Sequence, residues 1–72
     1  MTKYDNEKVA RRIRSLRMDK GYNQQELANA ANIPLPTLRT YEQAQAIMSL
    51  ENAARIAHAL GCSIDVLACQ ER

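Results

Sequence analysis

Apolar residues recur every three or four positions along most of the 72-residue chain, which is the spacing of one face of an α-helix. No run of useful length alternates between apolar and polar residues, as a half-buried strand would. The first helical segment extends from about Asn6 to Lys20, where Gly21 provides a C-terminal stop. Four further segments follow, so the pattern predicts an all-α fold, a bundle of five helices.

The second and third segments are short and close together. Asn23 with Glu26 three residues later is a capping-box sequence that begins the second helix. The predicted buried side of that helix consists of Leu27, Ala28 and Ala31. Asn32 tolerates the left-handed backbone of a tight turn. The third segment spans roughly Leu35 to Gln43.

The third segment opens with a leucine and a proline. Proline is tolerated in a first helical turn, because the N–H that it lacks would have no helical partner there. Pro36 also disfavours the helical conformation at Leu35. The third helix is therefore expected to start near Pro36 without a side-chain cap.

The fourth and fifth segments complete the pattern. The fourth starts after Ser49 and ends before Gly61. It carries the apolar residues Leu50, Ala53, Ile56, Ala57 and Leu60. The fifth, "SIDVLA", begins with Ser63 as its cap and is short.

Length and composition predict one domain, residues 1–72. A chain of this size buries only about 60% of its unfolded surface, so a partner subunit would add stability. The polar start "MTKYDNEK" predicts no signal peptide, and no stretch approaches the length of a membrane span. A cytoplasmic protein is expected.

Charge is distributed unevenly along the chain. The first twenty residues carry seven Lys or Arg and three Asp or Glu, a net +4, and the remainder carries −2. This balance permits a polyanionic partner without requiring one.

Few residues suit catalysis or metal binding. Cys62 and Cys69 would lie about 10 Å apart along a helix, too far for a disulfide. The single histidine, His58, completes no metal-ligand set. With no phosphate-binding glycine loop either, the sequence indicates a protein that is not an enzyme and uses no cofactor or metal.

The second and third helices are separated by only a few residues, so they must cross steeply, with Ala28 at their contact. That arrangement is a helix-turn-helix, whose second helix lies in the DNA major groove. Several further features match a known family: Leu27-Ala28, then Ala31, Asn32 and Ile33, then Leu38, Tyr41 and Glu42, with "SLE" from 49, "AHALG" from 57 and "SIDVL" from 63. Through them residues 13–67 resemble, without a gap, the phage-repressor and Cro type of helix-turn-helix domain, the xenobiotic-response-element family.

The resemblance implies a lambda-repressor-like fold and a sequence-specific DNA-binding transcriptional regulator, a repressor acting as a homodimer on a palindromic operator. Carried over position by position, the DNA-binding residues are Asn23, Gln24, Leu35, Pro36, Thr37, Arg39, Thr40 and Gln43. Arg39 and Thr40 would read bases, while Leu35 and Pro36 would contact a thymine methyl. Asn23, Gln24 and Gln43 would contact the DNA backbone.

Arg17 and Glu42 each lie on the flank of an apolar helix face, where an unpaired charge is costly. The resemblance pairs them as a structural ion pair between the first and third helices. The alternative is that both side chains extend to water. For most apolar residues, among them Leu27, Ile33, Leu38, Ile56 and Leu60, core packing is the expected role.

Two departures from the family pattern affect DNA binding. Ala44 replaces a glycine, and the loop "AQAIM" lacks the usual Lys or Arg. Phosphate contacts supply most non-specific affinity, so the alternative is a protein-interaction module or antitoxin-type regulator. Such a protein would bind its partner through an exposed surface formed by Leu35, Pro36, Ile47 and Met48.

Two surfaces remain. Arg11 and Arg14 are placed on the outward side of the first helix, where a solvated face is favoured over a supplementary phosphate contact or a partner site. At the C-terminal end, Ile64, Val66 and Cys69 are predicted near a two-fold dimer contact.

Overall fold

The computed structural model describes residues 5–67, which form five α-helices and no strand. The helices are α1 (Asn6–Asp19), α2 (Gln24–Ala31), α3 (Leu35–Glu42), α4 (Leu50–Leu60) and α5 (Ile64–Leu67). The all-helical fold predicted from the sequence is confirmed. No helix within these residues is long and apolar enough to cross a membrane.

Local side-chain bonds define where the helices begin. The Asp5 carboxylate accepts hydrogen bonds from the backbone N–H groups of Glu7 and Lys8 at the start of α1. Asn23 and Glu26 form the predicted capping box, each side chain accepting from the other's backbone N–H at 2.8 Å. Ser49 accepts from the N–H of Asn52 at 3.1 Å. These partners satisfy N–H groups that have no helical acceptor.

Left-handed residues end two helices. Asn32 follows α2 with φ 58 and ψ 46, and Gly61 follows α4 with φ 72. The sequence predicted a tight turn at Asn32 and the end of the fourth helix before Gly61, and the structure has both. Asparagine and glycine tolerate the left-handed conformation better than other residues.

One apolar core joins the helices. The five predicted core residues Leu27, Ile33, Leu38, Ile56 and Leu60 are all buried. Helix α2 packs mainly on α4 and α3, while α1 packs on α3. Tyr41 is also buried, and its hydroxyl accepts a 2.8 Å hydrogen bond from the Asn52 side chain of α4. The core thereby fixes α3 between α1 and α2.

Leu50, an apolar residue of the fourth segment, does not join the core. It is 75% exposed, whereas Met48, from the loop before α4, belongs to the core at 9% exposure. Leu50 is the first residue of α4, so it lies before the buried face of this helix, which begins at Ala53.

Candidate nucleic-acid interface

A tight turn joins α2 to α3. The Ile33 N–H donates to the Ala28 carbonyl at 3.0 Å across the left-handed Asn32. Ala28 is fully buried and Ile33 nearly so. Because alanine has only a methyl side chain, the two helices approach closely at this point. The turn therefore directs the outer face of α3 away from the body of the protein.

Helix α3 begins one residue earlier than expected. Pro34 lies just outside the helix, with φ −63 and ψ 143, and its carbonyl accepts from the Leu38 N–H at 3.1 Å. Leu35 is helical despite the proline after it, and it packs half-buried against the core. Its burial offsets the steric preference that disfavours a helix before proline. As predicted, α3 has no side-chain cap.

The outer face of α3 is exposed at Pro36, Arg39 and Gln43 and half-buried at Thr37 and Thr40. The Thr40 hydroxyl donates to the Thr37 carbonyl at 2.6 Å. Its oxygen is therefore left to accept a hydrogen bond rather than to donate one. The Arg39 side chain has no hydrogen bond or ion pair with any residue in 5–67, so its guanidinium is available to a ligand.

A buried ion pair fixes the other side of α3. Arg17 Nε lies 2.8 Å from Glu42 Oε2, and Arg17 Nη2 donates to Glu42 Oε1 at 3.1 Å. The Glu42 side chain is only 1% exposed and that of Arg17 14%. Arg17 Nη1 also donates to the Tyr22 carbonyl at 3.0 Å. These bonds connect α1, the α1–α2 turn and α3, and they use three of the five N–H donors of the guanidinium.

Gln24 completes this network, a contact that the sequence reasoning did not anticipate. Its Nε2 donates to Glu42 Oε1 at 3.1 Å. A carboxylate only accepts hydrogen bonds, so the amide must present its NH2 group to Glu42. The side-chain oxygen of Gln24 then faces elsewhere. The Asn23 side chain is exposed but already caps α2.

The outward placement of Arg14 was wrong. Arg14 is half-buried, and its Nη1 donates to the backbone carbonyl of Glu42 at the end of α3. Helix α1 packs on α3, so this side of α1 faces a neighbouring helix. Arg11 is exposed, as expected.

The loop after α3 begins with a strained residue. Ala44 has φ 59, a left-handed conformation that side chains with a Cβ adopt at some cost. Its N–H donates to the Tyr41 carbonyl at 3.2 Å, and the Gln45 N–H donates to the backbone carbonyl of Thr40 at 2.8 Å. The family glycine that Ala44 replaces would adopt this turn without strain.

The apolar partner surface suggested by the sequence does not form as predicted. Ile47 is 67% exposed and Pro36 is exposed, but Met48 is buried and Leu35 packs against the core. The loop folds back onto the core through Met48, which removes that residue from the surface. Of the four residues of the proposed surface, Met48 is therefore unavailable to a partner, and Leu35 is only partly exposed.

At the other end of the chain, Val66 is 42% exposed and Ile64 is half-buried against the core. Cys69, the third residue assigned to the dimer contact, lies outside the described residues. Cys62 precedes α5, and burial raises the pKa of its thiol while nearby Arg12 lowers it. These residues belong to the α4–α5 end rather than to the outer face of α3.

The packed α2–α3 pair, the tight turn between the two helices and the outward polar face of α3 define the class of this protein, a helix-turn-helix protein of DNA-binding type. The helix-turn-helix family HTH_3 matches residues 13–67, and the chain belongs to that family. The resemblance to Cro-type domains is thus confirmed. No curated protein matches the sequence.

Solved structures of regulators share this fold. The restriction-modification controller protein C.AhdI from Aeromonas hydrophila is 32% identical, with a TM-score of 0.84 over 88% of this chain and 96% of that one. The clp gene regulator ClgR from Corynebacterium glutamicum is 38% identical, with a TM-score of 0.78 over 86% of this chain and 67% of that one. The hypothetical transcription factor NHTF from Neisseria is 27% identical, with a TM-score of 0.83 over 88% and 72% of the two chains.

Proposed function

We propose that this chain is a sequence-specific DNA-binding transcriptional regulator that places α3 in the major groove. The observation that carries the proposal is the outer face of α3, where Arg39 is exposed and its side chain has no partner in residues 5–67. Family membership and the similarity to a restriction-modification controller and a clp gene regulator support it.

The side chains of this face suit base recognition. The Arg39 guanidinium can donate two hydrogen bonds to guanine O6 and N7. The Thr40 oxygen, left as an acceptor by its bond to Thr37, suits the amino group of adenine or cytosine. Leu35 and Pro36 offer apolar contact to a thymine methyl, and Asn23, Gln24 and Gln43 are proposed to position the DNA backbone.

The test is binding to a duplex selected from a randomised library by the wild-type chain. Arg39→Ala should weaken binding to the selected duplex by about 1–3 kcal/mol and relax the preference at one base pair. Arg55→Ala is the matched control, because Arg55 is exposed on α4 and its substitution removes the same positive charge. Equal effects of the two variants would show that α3 does not read bases.

The uncharged loop predicts a modest salt dependence. Residues 43–50 carry no Lys or Arg, so few phosphates are neutralised beside α3. The slope of log affinity against log salt should be shallower than the about −5 to −9 of proteins with 6 to 10 phosphate contacts.

We further propose that the chain acts as a homodimer on a palindromic operator and represses by occlusion. One domain reads one half-site, and a two-fold dimer aligns two α3 helices about one DNA turn apart. Ile64, Val66 and Cys69 are the proposed contact. A reporter gene placed downstream of the selected sequence should be less active when the chain is expressed.

A further inference from the structure

A groove separates α1 from the C-terminal end of α3. Its lining residues are Glu7, Ala10, Arg11, Arg14, Gln43 and Ala44. Arg11 is exposed, and its side chain has no hydrogen bond or ion pair with any residue in 5–67. Gln43 belongs both to this groove and to the outer face of α3. The groove therefore continues the proposed DNA-reading face around the end of the helix.

Arg14 changes the electrostatics of that helix end. The C-terminus of a helix carries partial negative charge on its free carbonyls, which repels anions. Arg14 Nη1 donates to the Glu42 carbonyl at this point, so a full positive charge covers the helix end. A guanidinium has five N–H donors, and this bond uses one of them. Arg14 is thus held in place with donors left over.

The dimensions of α3 indicate which part of a DNA duplex would approach the groove between α1 and α3. A helix with its side chains is about 10–12 Å across, which is close to the width of the major groove, so α3 can lie in that groove. The sugar–phosphate strands that border the major groove would then run beside α3 and past its ends. The N-terminal end of α3 carries Leu35 and Pro36 and has no side-chain cap. Arg11, Arg14 and Gln43 lie around its C-terminal end.

We propose that Arg11 and Arg14, with Gln43, form a phosphate-binding site for the DNA strand beside the C-terminal end of α3. The site supplies cations that the loop at residues 44–48 lacks. This inference rests on the proposed function, since the phosphates belong to the duplex that α3 reads. Contacts from α1 would therefore contribute to DNA affinity and not to base preference.

Glu7 lines the same groove and opposes this site. Its carboxylate would repel a phosphate that the two arginines attract, which makes it the natural reciprocal test. Arg12, the neighbour of Arg11 on α1, lies near Cys62 at the α4–α5 end instead. Arg12 is exposed and carries the same charge, so it reports the effect of net charge alone.

The experiment measures affinity by fluorescence anisotropy for the selected duplex and for a scrambled duplex, between about 50 and 200 mM salt. Arg11→Gln should weaken binding to both duplexes by about three- to tenfold at the low salt end and reduce the salt slope by about 1. Glu7→Gln should tighten binding to both. Arg12→Gln should change affinity less than about twofold, because Arg12 does not line the groove and salt screens exposed charges that make no direct contact.

Circular dichroism must first show native helix content for each variant. The phosphate site is overturned if the Arg11→Gln variant binds DNA as tightly as the Arg12→Gln variant. It is also overturned if Arg11→Gln changes the preference between the selected and the scrambled duplex. In that case loss of preference in Arg39→Ala would still uphold the proposed function. A wild-type chain that binds neither duplex overturns both.

Discussion

The ion pair between Arg17 and Glu42 gives the sharpest prediction for stability. Glu42 is 1% exposed in its side chain and accepts from Arg17 twice and from Gln24 once. Arg17→Met would leave the buried carboxylate with the Gln24 amide as its one side-chain donor. Glu42→Gln would instead leave the guanidinium facing a neutral amide, with the Tyr22 carbonyl still bound.

The expected destabilisation follows from burial. Removing one member of a buried pair destabilises proteins by about 3–5 kcal/mol, mainly because the remaining charge is desolvated without a partner. The 14% exposure of the Arg17 side chain lets some water reach the pair, so we expect the lower end, about 3 kcal/mol. A domain of 72 residues has a free energy of unfolding of about 4–11 kcal/mol, so this loss is a large fraction of it.

The assay is urea denaturation followed by far-ultraviolet circular dichroism. With an m-value of about 1 kcal/mol/M, the midpoint should fall by about 3 M for Arg17→Met. A stabilising osmolyte at one concentration for all variants keeps the transition in range. The double variant Arg17→Met/Glu42→Gln should reveal a coupling free energy of about 1–3 kcal/mol.

The exposed pair between Arg55 and Glu51 provides the control. Its closest atoms are 3.7 Å apart, and its side chains are 41% and 74% exposed. Glu51→Gln should therefore change stability by less than about 1 kcal/mol. Single variants of the buried pair that match this control, or a coupling energy near zero, would refute the reasoning.

Three further predictions test other parts of the molecule. Ala44→Gly should raise the free energy of unfolding by about 0.5–1 kcal/mol in urea, since relief of the left-handed strain at φ 59 exceeds the added chain entropy; a destabilised variant would contradict this. Tyr41→Phe should cost about 1 kcal/mol by removing the acceptor of the Asn52 amide, and an unchanged urea midpoint would show that the bond is weak. Val66→Glu should dissociate the proposed dimer in sedimentation at micromolar concentration, whereas Met18→Glu, at a position also exposed in the monomer, should not.

Local patterns in the sequence determined most of the helical framework. The capping box of Asn23 and Glu26 and the left-handed Asn32 follow from residues within four positions of each other. Such interactions depend on backbone geometry that neighbours impose, so the sequence specifies them without knowledge of the fold. The family resemblance was equally accessible, because its motif spacing is linear.

Apart from the pair of Arg17 and Glu42, which the resemblance implied, only the tertiary structure decided which side chains meet across the bundle. Gln24 reaches a carboxylate 18 positions away, and Arg14 bonds a carbonyl 28 positions away. Periodicity gives the face on which a residue lies but not what packs there. For the same reason it does not show that Leu50 is exposed while Met48, in the loop before α4, is buried in the core. Which residues become buried or bound depends on how helix ends align, and the packing of the whole domain fixes that alignment.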